Sequence, residues 1–478
     1  VKRAFSRKNL WDRTPPLVKR GVGRLLGAVP LPWLLGPSFV RNLRFVDESQ
    51  WWPAERIREY QVERLREVCA LAWRKSPHYR RVFDEARFRP EEIRSPEDVR
   101  HLPFLDRKTV SERLEEMCVF DPGDRSVDYI TTAGTSGTPL RFYIQAGRSA
   151  VEFAYLVSGW GRVGYRPGAT LAVLRGRTIA APRGGAAPHE YDPVLRHHYY
   201  STFHMDDDNM GRYLDHMRGI GPFYLHAYPS SVANLARFVR RSGREVPSNL
   251  LGILAESENV YPEQRGFVTD VFRTRYFSSY GHTEKIVAAA ECHASADYHV
   301  WPTYGHFELV GADGRAVTTP GERGEIVGTG FINSAVPFIR YRTGDYATYL
   351  GDRCAACGRE HARIGEIRGH NVQENLVARD GSMITWSAVN MHDDTFDRVN
   401  RFQFRQEVPG KALLLVEAAP GFGEAELRRI SENLSRKFDG RLDFSVEVVA
   451  AVPLSGRGKS VYVDQRIPGA ALPSGYGE

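Results

Sequence analysis

Long apolar runs are missing from this 478-residue sequence, and with them any segment fit to span a membrane. The most apolar stretch, Leu25 to Val40, is too short and is interrupted by Pro30, Pro32 and Pro37. No small-residue cleavage site of a secretory leader follows it. The expectation is a soluble, cytoplasmic protein. Its basic start (Lys2, Arg3, Arg7, Lys8, Arg13, Lys19, Arg20 and Arg24) is expected to pack on the main domain, with contact to a membrane surface as the alternative. Cysteine is scarce: five in the whole chain make a poor disulfide framework. A large excess of one charge is absent too. Lys and Arg outnumber Asp and Glu by 65 to 58, a balance that suits an anionic small molecule and does not imply nucleic acid. Internal repeats and low-complexity tracts are absent.

What is present is a globular composition, 42% hydrophobic and 26% charged, long enough for a large core and a further domain. Apolar residues at helical spacing (Ile57, Tyr60, Leu65, Val68, Leu71, Ala72) predict helix between Ala54 and Glu85. From Val127 to about Val310, short apolar runs (Thr170 to Leu174, Leu250 to Leu254, Arg275 to Tyr280) alternate with helical patterns such as Ser230 to Val239, which predicts an α/β domain. After Val300 the texture becomes short strands and turns, read as a β-rich subdomain. Beyond Gly369, the runs Phe402 to Arg405, Leu413 to Glu417 and Phe444 to Val449 with a helix over Glu424 to Phe438 predict a small α+β domain. The expected division is 1–368 and 369–478.

Four segments could carry chemistry. Thr131-Thr132-Ala133-Gly134-Thr135-Ser136-Gly137-Thr138-Pro139 follows an expected strand. Its glycines let backbone N–H and hydroxyl groups approach phosphate oxygens, although such a sequence alone also reads as a surface turn. It is not a Walker loop, since no Gly-Lys-Ser/Thr closes it. Gly458-Lys459-Ser460 has that ending, but Pro453 stands where the first glycine is needed. Tyr280-Gly281-His282-Thr283-Glu284 sits at a strand's carboxyl end, where open sheets bind ligands; Glu284 could hold Mg²⁺, or be a solvated turn residue. Asp345 of Tyr341-Arg342-Thr343-Gly344-Asp345 could accept both hydroxyls of a ribose. Leu454-Ser455-Gly456-Arg457-Gly458-Lys459 presents one lysine on a Gly-rich loop. A fifth feature, Cys354-Ala355-Ala356-Cys357, has metal-ligand spacing, with two reduced buried thiols as the alternative. Cys69 and Cys118 fall in helical patterns and read as core.

The order and separation of the four segments resemble the adenylate-forming superfamily of acyl-CoA synthetases, adenylation domains and luciferase-like enzymes. The likeness is to its phenylacetate–CoA ligase-like branch, including capsular-polysaccharide-associated members, and takes in Trp51 to Phe83, Ala227-Tyr228-Pro229-Ser230-Ser231 and Asn390-Met391-His392-Asp393-Asp394. The resemblance implies a large N-terminal domain with a small mobile C-terminal one, and ATP-dependent activation of a carboxylic acid followed by acyl transfer to a nucleophile. Coenzyme A is the first acceptor and an amine the runner-up; the oligomeric state is left open. By resemblance Lys459 meets the carboxylate and α-phosphate, and Thr132, Gly134, Thr135, Ser136, Gly137 and Thr138 hold the β and γ phosphates. Glu284 takes Mg²⁺ and Asp345 the ribose. Glu258, Ser279, Tyr280, Gly281, His282 and Thr283 flank the adenine. Thr138 stands where many relatives carry Lys. The hinge resembles Gly369, His370 and Glu374, with His370 where Arg is usual. By position Trp160, Arg175, His204, Tyr228 and Ser230 line the acid pocket, which would suit a planar acid. Cys292 and His299 join Cys354 and Cys357 around a structural Zn²⁺, with His293 and His361 as runners-up for the fourth ligand.

Overall fold

The structure is a computed structural model. It describes residue 26 and residues 29–467 apart from 122, 125, 132–139, 177–178, 180–188, 203, 369–374, 386–388, 390–393, 397, 420 and 454–461. The phosphate-loop residues Thr132 to Pro139, the hinge Gly369 to Glu374, Asn390 to Asp393, the basic start and Lys459 therefore lie outside the described residues.

The apolar runs become strands buried on both faces. Strands β1 (Val127–Thr131) and β2 (Arg141–Gln145) form an antiparallel hairpin around residues 132–139. Next come β3 (Thr170–Leu174), β4 (His189–Asp192), β5 (His197–Tyr200), β6 (Phe223–Ala227), β7 (Leu250–Glu256), β8 (Tyr276–Gly281), β9 (Ala288–Glu291) and β10 (Tyr298–Val300). They continue into β11 (Gly305–Val310), β12 (Arg323–Gly330), β13 (Tyr341–Gly351) and β14 (Arg363–Arg368). All but the hairpin share one 12-stranded sheet in the order β11-β12-β13-β14-β10-β9-β8-β7-β6-β3-β5-β4. The centre, β3, β6, β7 and β8, is parallel.

Parallel strands need crossovers, and the sequence supplies helices with proline at the first turn, Pro229–Ser242 between β6 and β7 and Pro262–Phe272 between β7 and β8. Successive side chains then enter opposite layers. Leu225, Ile253 and Tyr276 pack with those helices, while Tyr224, Leu254 and Phe277 pack with the helix Arg148–Gly161 and with Phe39 and Val46 of Pro37–Ser49. The helical region expected over Ala54 to Glu85 is two helices, Ala54–Lys75 and Pro77–Glu85. The break falls at Ser76, which caps the second helix by accepting from Tyr79 N. Both helices cover the β9–β14 half of the sheet, Leu65, Tyr79 and Phe83 joining Phe338 and Ile364 in one cluster.

The turn-rich stretch after Val300 is β-rich as expected, and its strands β11 to β14 extend the central sheet antiparallel from β10. A hairpin sequence looks alike whether it closes on itself or lengthens a neighbour's edge. The last segment does have its own core. Strands β15 (Asn375–Val377) and β16 (Met383–Thr385) pair, and β17 (Val399–Val408), β18 (Lys411–Ala418), β19 (Asp443–Val449) and β20 (Val463–Gln465) form a sheet in the order β19-β18-β17-β20. The predicted helix Glu424–Phe438 is there, placing Ile430, Leu434 and Phe438 against Phe404 and Leu414.

Candidate active site

Because β3, β6, β7 and β8 are parallel, their carboxyl ends line one edge, with Leu174 beside Ala227, Ala227 beside Ala255 and Glu256 beside Ser279. Ligands of open α/β sheets bind at such an edge. Here it presents Arg175, Tyr228, Ser257, Tyr280 and His282 in strand order. Two non-glycine residues of this edge hold left-handed backbone, Ser257 (φ 71°) and Lys285 (φ 60°), a strain that collects at functional sites.

Two of the predicted motifs meet. The Tyr280 hydroxyl donates to Asp345 Oδ2 at 2.8 Å. The turn that aims Asp345 is built locally: Thr343 Oγ1 donates to Ile326 O (2.7 Å) and accepts from Asp345 N (3.1 Å), and Gly344 N donates to Glu325 Oε1 (3.1 Å). Gly344 has φ 75°, which requires a glycine there. Nearby, Glu284 is buried, with its Oε2 3.7 Å from His282 Nδ1, and burial raises its carboxyl above the usual range. Burial also pushes the His282 imidazole down to about 3, with Lys285 adding to the effect, so the ring is neutral at physiological pH. Both His282 nitrogens and Ser279 Oγ are buried without a partner among the described residues. Buried polar groups are rarely left so, and these three offer hydrogen bonds to a bound molecule.

Of the predicted pocket residues, three converge. Arg175 Nη1 lies 2.7 Å from His226 Nε2, its Nη2 donates to Ser257 Oγ, and its guanidinium sits 5.2 Å from the Tyr228 ring centre. Trp160 stands behind them in the core, donating from Nε1 to Glu256 Oε1 at 2.8 Å with its ring 4.9 Å from that of His226. His204 is elsewhere, with Nε2 3.2 Å from Asp439 Oδ2 of the C-terminal segment. The Ser230 side chain lies outside the described set. Glu258, two residues beyond β7, is close enough for its charge to raise Tyr228 and Tyr276.

Sequence reasoning missed His226 and Glu256, whose facing atoms are 3.2 Å apart. Burial opposes the Glu256 charge, but hydrogen bonding and charge from His226, the Arg175 charge and the Trp160 N–H outweigh it and hold the carboxyl below its usual range. A signal existed: Glu256 ends a seven-residue strand whose preceding four residues are buried and apolar or glycine, and a carboxylate in that position needs partners.

The four expected metal ligands lie together. Cys292, His299, Cys354 and Cys357 each bring one ligand atom within 4.8 Å of the others. Cys292 and Cys354 sulfurs are 3.9 Å apart, and Cys357 Sγ is 4.0 Å from the His299 ring nitrogens. A tetrahedral zinc with bonds of about 2.3 Å to sulfur has edges of roughly 3.8 Å, so the quartet fits that ion. Burial pushes the His299 imidazole down to about 3, helped by Arg162 and Arg359, which keeps it in the neutral form that ligates metals. His361 is 6.0 Å from His299 between ring centres; neither it nor His293 joins the quartet. Cys69 is a buried core residue, and Cys118, half-buried, donates to Leu114 O.

No family model matches the chain. Among curated proteins, the phenylacetate-coenzyme A ligase of Thermus thermophilus is 25% identical over 414 residues, 86% of this chain and 89% of its own length. Protein CapK of Staphylococcus aureus is 20% identical over 416 residues, again 86% and 89%. The solved structure of 2-hydroxyisobutyryl-CoA ligase in the postadenylation state superposes with a TM-score of 0.54 at 19% identity, covering 86% of this chain and 90% of that one. The fold is thus that of an adenylate-forming ligase. Within that class, the chain is similar over most of its length to phenylacetate-coenzyme A ligases and to CapK.

Proposed function

We propose that this chain is an ATP-dependent, AMP-forming ligase that activates a small carboxylic acid, aryl or alkyl, as its acyl adenylate and transfers the acyl group to coenzyme A. The bond between Tyr280 and Asp345 carries the reading, since it joins two separate motifs at the carboxyl edge of the parallel sheet beside the buried Glu284. In the first step a carboxylate oxygen bonds to the α-phosphorus of ATP, the bond from that phosphorus to the bridging oxygen breaks, and pyrophosphate leaves. In the second, the thiol sulfur bonds to the acyl carbon, the bond from that carbon to the bridging oxygen breaks, AMP leaves with that oxygen and the bonding electron pair, and the thiol proton is released.

Such chemistry is mostly positioning and charge stabilisation. Asp345 holds the ribose, Ser279 to His282 and Glu258 flank the adenine, and the residues from Thr132 to Thr138 cradle the phosphates. Lys459 neutralises charge between carboxylate and α-phosphate. Glu284 suits the Mg²⁺ of MgATP, because burial penalises its ionised form and a divalent cation removes that penalty. The C-terminal domain turns about Gly369, His370 and Glu374 between the steps. The quartet of Cys292, His299, Cys354 and Cys357 holds a structural Zn²⁺: with four protein ligands it has no open position for catalysis, and it ties β9 and β10 to the loop before β14. Incubation with ATP, coenzyme A and an acid series, followed by mass analysis, tests the whole reaction. AMP and an acyl thioester in equal amounts are expected, and ADP as the nucleotide product would refute it.

A further inference from the structure

The parallel edge divides into two halves. Tyr280, Asp345 and Glu284 occupy the β8 and β13 side, and the hairpin that flanks the phosphate segment packs there too, with Phe142 5.2 Å from Phe338 between ring centres and Asn333 Nδ2 donating to Tyr143 O at 3.0 Å. On the adenylation reading, the nucleotide fills that half. The other half, toward β6 and β3, is left for the acid. Arg175 follows β3, three strands from β8 and so roughly 14 Å away.

That half is not an apolar slot. Its rim is the Arg175 guanidinium, a quarter exposed, laid over Tyr228 and held by His226 and Ser257. Arg175 does not merely neutralise Glu256. A paired guanidinium and carboxylate close to about 2.7–2.9 Å, whereas Arg175 Nη1 is 3.8 Å from Glu256 Oε2. The Glu256 carboxylate is engaged instead by Trp160 Nε1, and His226 Nε2 lies between Glu256 Oε2 (3.2 Å) and Arg175 Nη1 (2.7 Å). A guanidinium has five N–H donors, so Arg175 keeps some beyond those that face His226, Ser257 and the Tyr228 hydroxyl. An apolar tail seated against it would strip water from a cation and return no hydrogen bond.

We propose that the acid activated here carries a second hydrogen-bond acceptor, a hydroxyl, carbonyl or carboxylate oxygen, at the end remote from the reacting carboxylate, and that Arg175 selects it. The inference rests on the adenylation reading above. Trp160 and Glu256 position the site through His226, and Ser257 orients the second guanidinium nitrogen.

The test uses ATP–pyrophosphate exchange with paired acids of matched bulk: phenylacetate against 4-hydroxyphenylacetate, pentanoate against 4-oxopentanoate, and hexanoate against glutarate. The polar member of at least one pair should be preferred by roughly tenfold or more in kcat/KM. Arg175→Met should collapse that preference through KM, and Arg175→Lys should retain part of it, which separates lost recognition from a lost fold. Preference for the apolar member in every pair would overturn the inference while leaving adenylation standing. So would an Arg175→Met variant that loses both members of a pair equally with the ratio unchanged. Absence of exchange with all six acids overturns the adenylation reading and the inference together.

Discussion

Tyr280 and Asp345, 65 residues apart, are joined by a hydrogen bond of 2.8 Å between a phenol and a carboxylate. One stands at the end of a parallel strand, the other in a turn of an antiparallel one, so the bond ties the parallel centre of the sheet to its antiparallel half. Tyr280→Phe removes the donor and leaves the packing. With a hydrogen bond to a charged group contributing about 1.5–3 kcal/mol, the KM for ATP should rise by about tenfold or more with little change in thermal midpoint. An unchanged KM would show that Asp345 needs no such anchor.

The sulfur and imidazole quartet predicts about one zinc per chain by elemental analysis. Cys354→Ser with Cys357→Ser should abolish it and lower the thermal midpoint by at least about 5 °C, since binding energy at a structural site is folding energy. Full zinc content in the double variant would place the metal elsewhere.

A second histidine group sets a pH limit. His189, His198 and His216 stack at the edge of the sheet, with His189 and His216 ring centres 4.0 Å apart. Burial, then the neighbouring His216 and His189, push His198 down to about 4. The unfolded chain therefore binds more protons than the folded one between about 6.5 and 4, and stability is lost as pH falls through that window. Thermal midpoints between pH 7 and 4 should fall, and the fall should be shallower for His198→Gln. An identical slope would remove His198 from the account.

The segment from Asn375 onward touches the rest of the chain through His204 and Asp439 (3.2 Å) and through Arg141, which donates to Phe396 O at 3.2 Å. If that segment turns between half-reactions, pinning it stops one of them. His204→Cys with Asp439→Cys, joined by a short bifunctional thiol reagent, should perform only adenylation or only thioester formation. Both at full rate would contradict the rotation.

Much of this was legible in the sequence because it is local. The helix Glu424–Phe438 was readable from its 3.6-residue apolar period, and the Cys354 and Cys357 pair from its spacing. The motif around Gly344 was readable from the turn that Gly344 permits. The sheet's extent was not, because β10 recruits β14 by edge pairing, which leaves no mark on local pattern. Nor was the interplay of Trp160, Arg175, His226 and Glu256, four residues from four elements that meet only once the strands are in order. His204 looked like a pocket residue by position alone, and its partner Asp439 lies 235 residues later by number.

The central claim is the formation of an acyl adenylate, and carboxylate-dependent exchange of labelled pyrophosphate into ATP measures it most directly. Exchange should require an acid, and Lys459→Ala should reduce it by at least roughly a hundredfold while ATP still binds, because that lysine acts on the charge of the transition state. Exchange that no acid supports, or that persists undiminished in Lys459→Ala, would contradict the account.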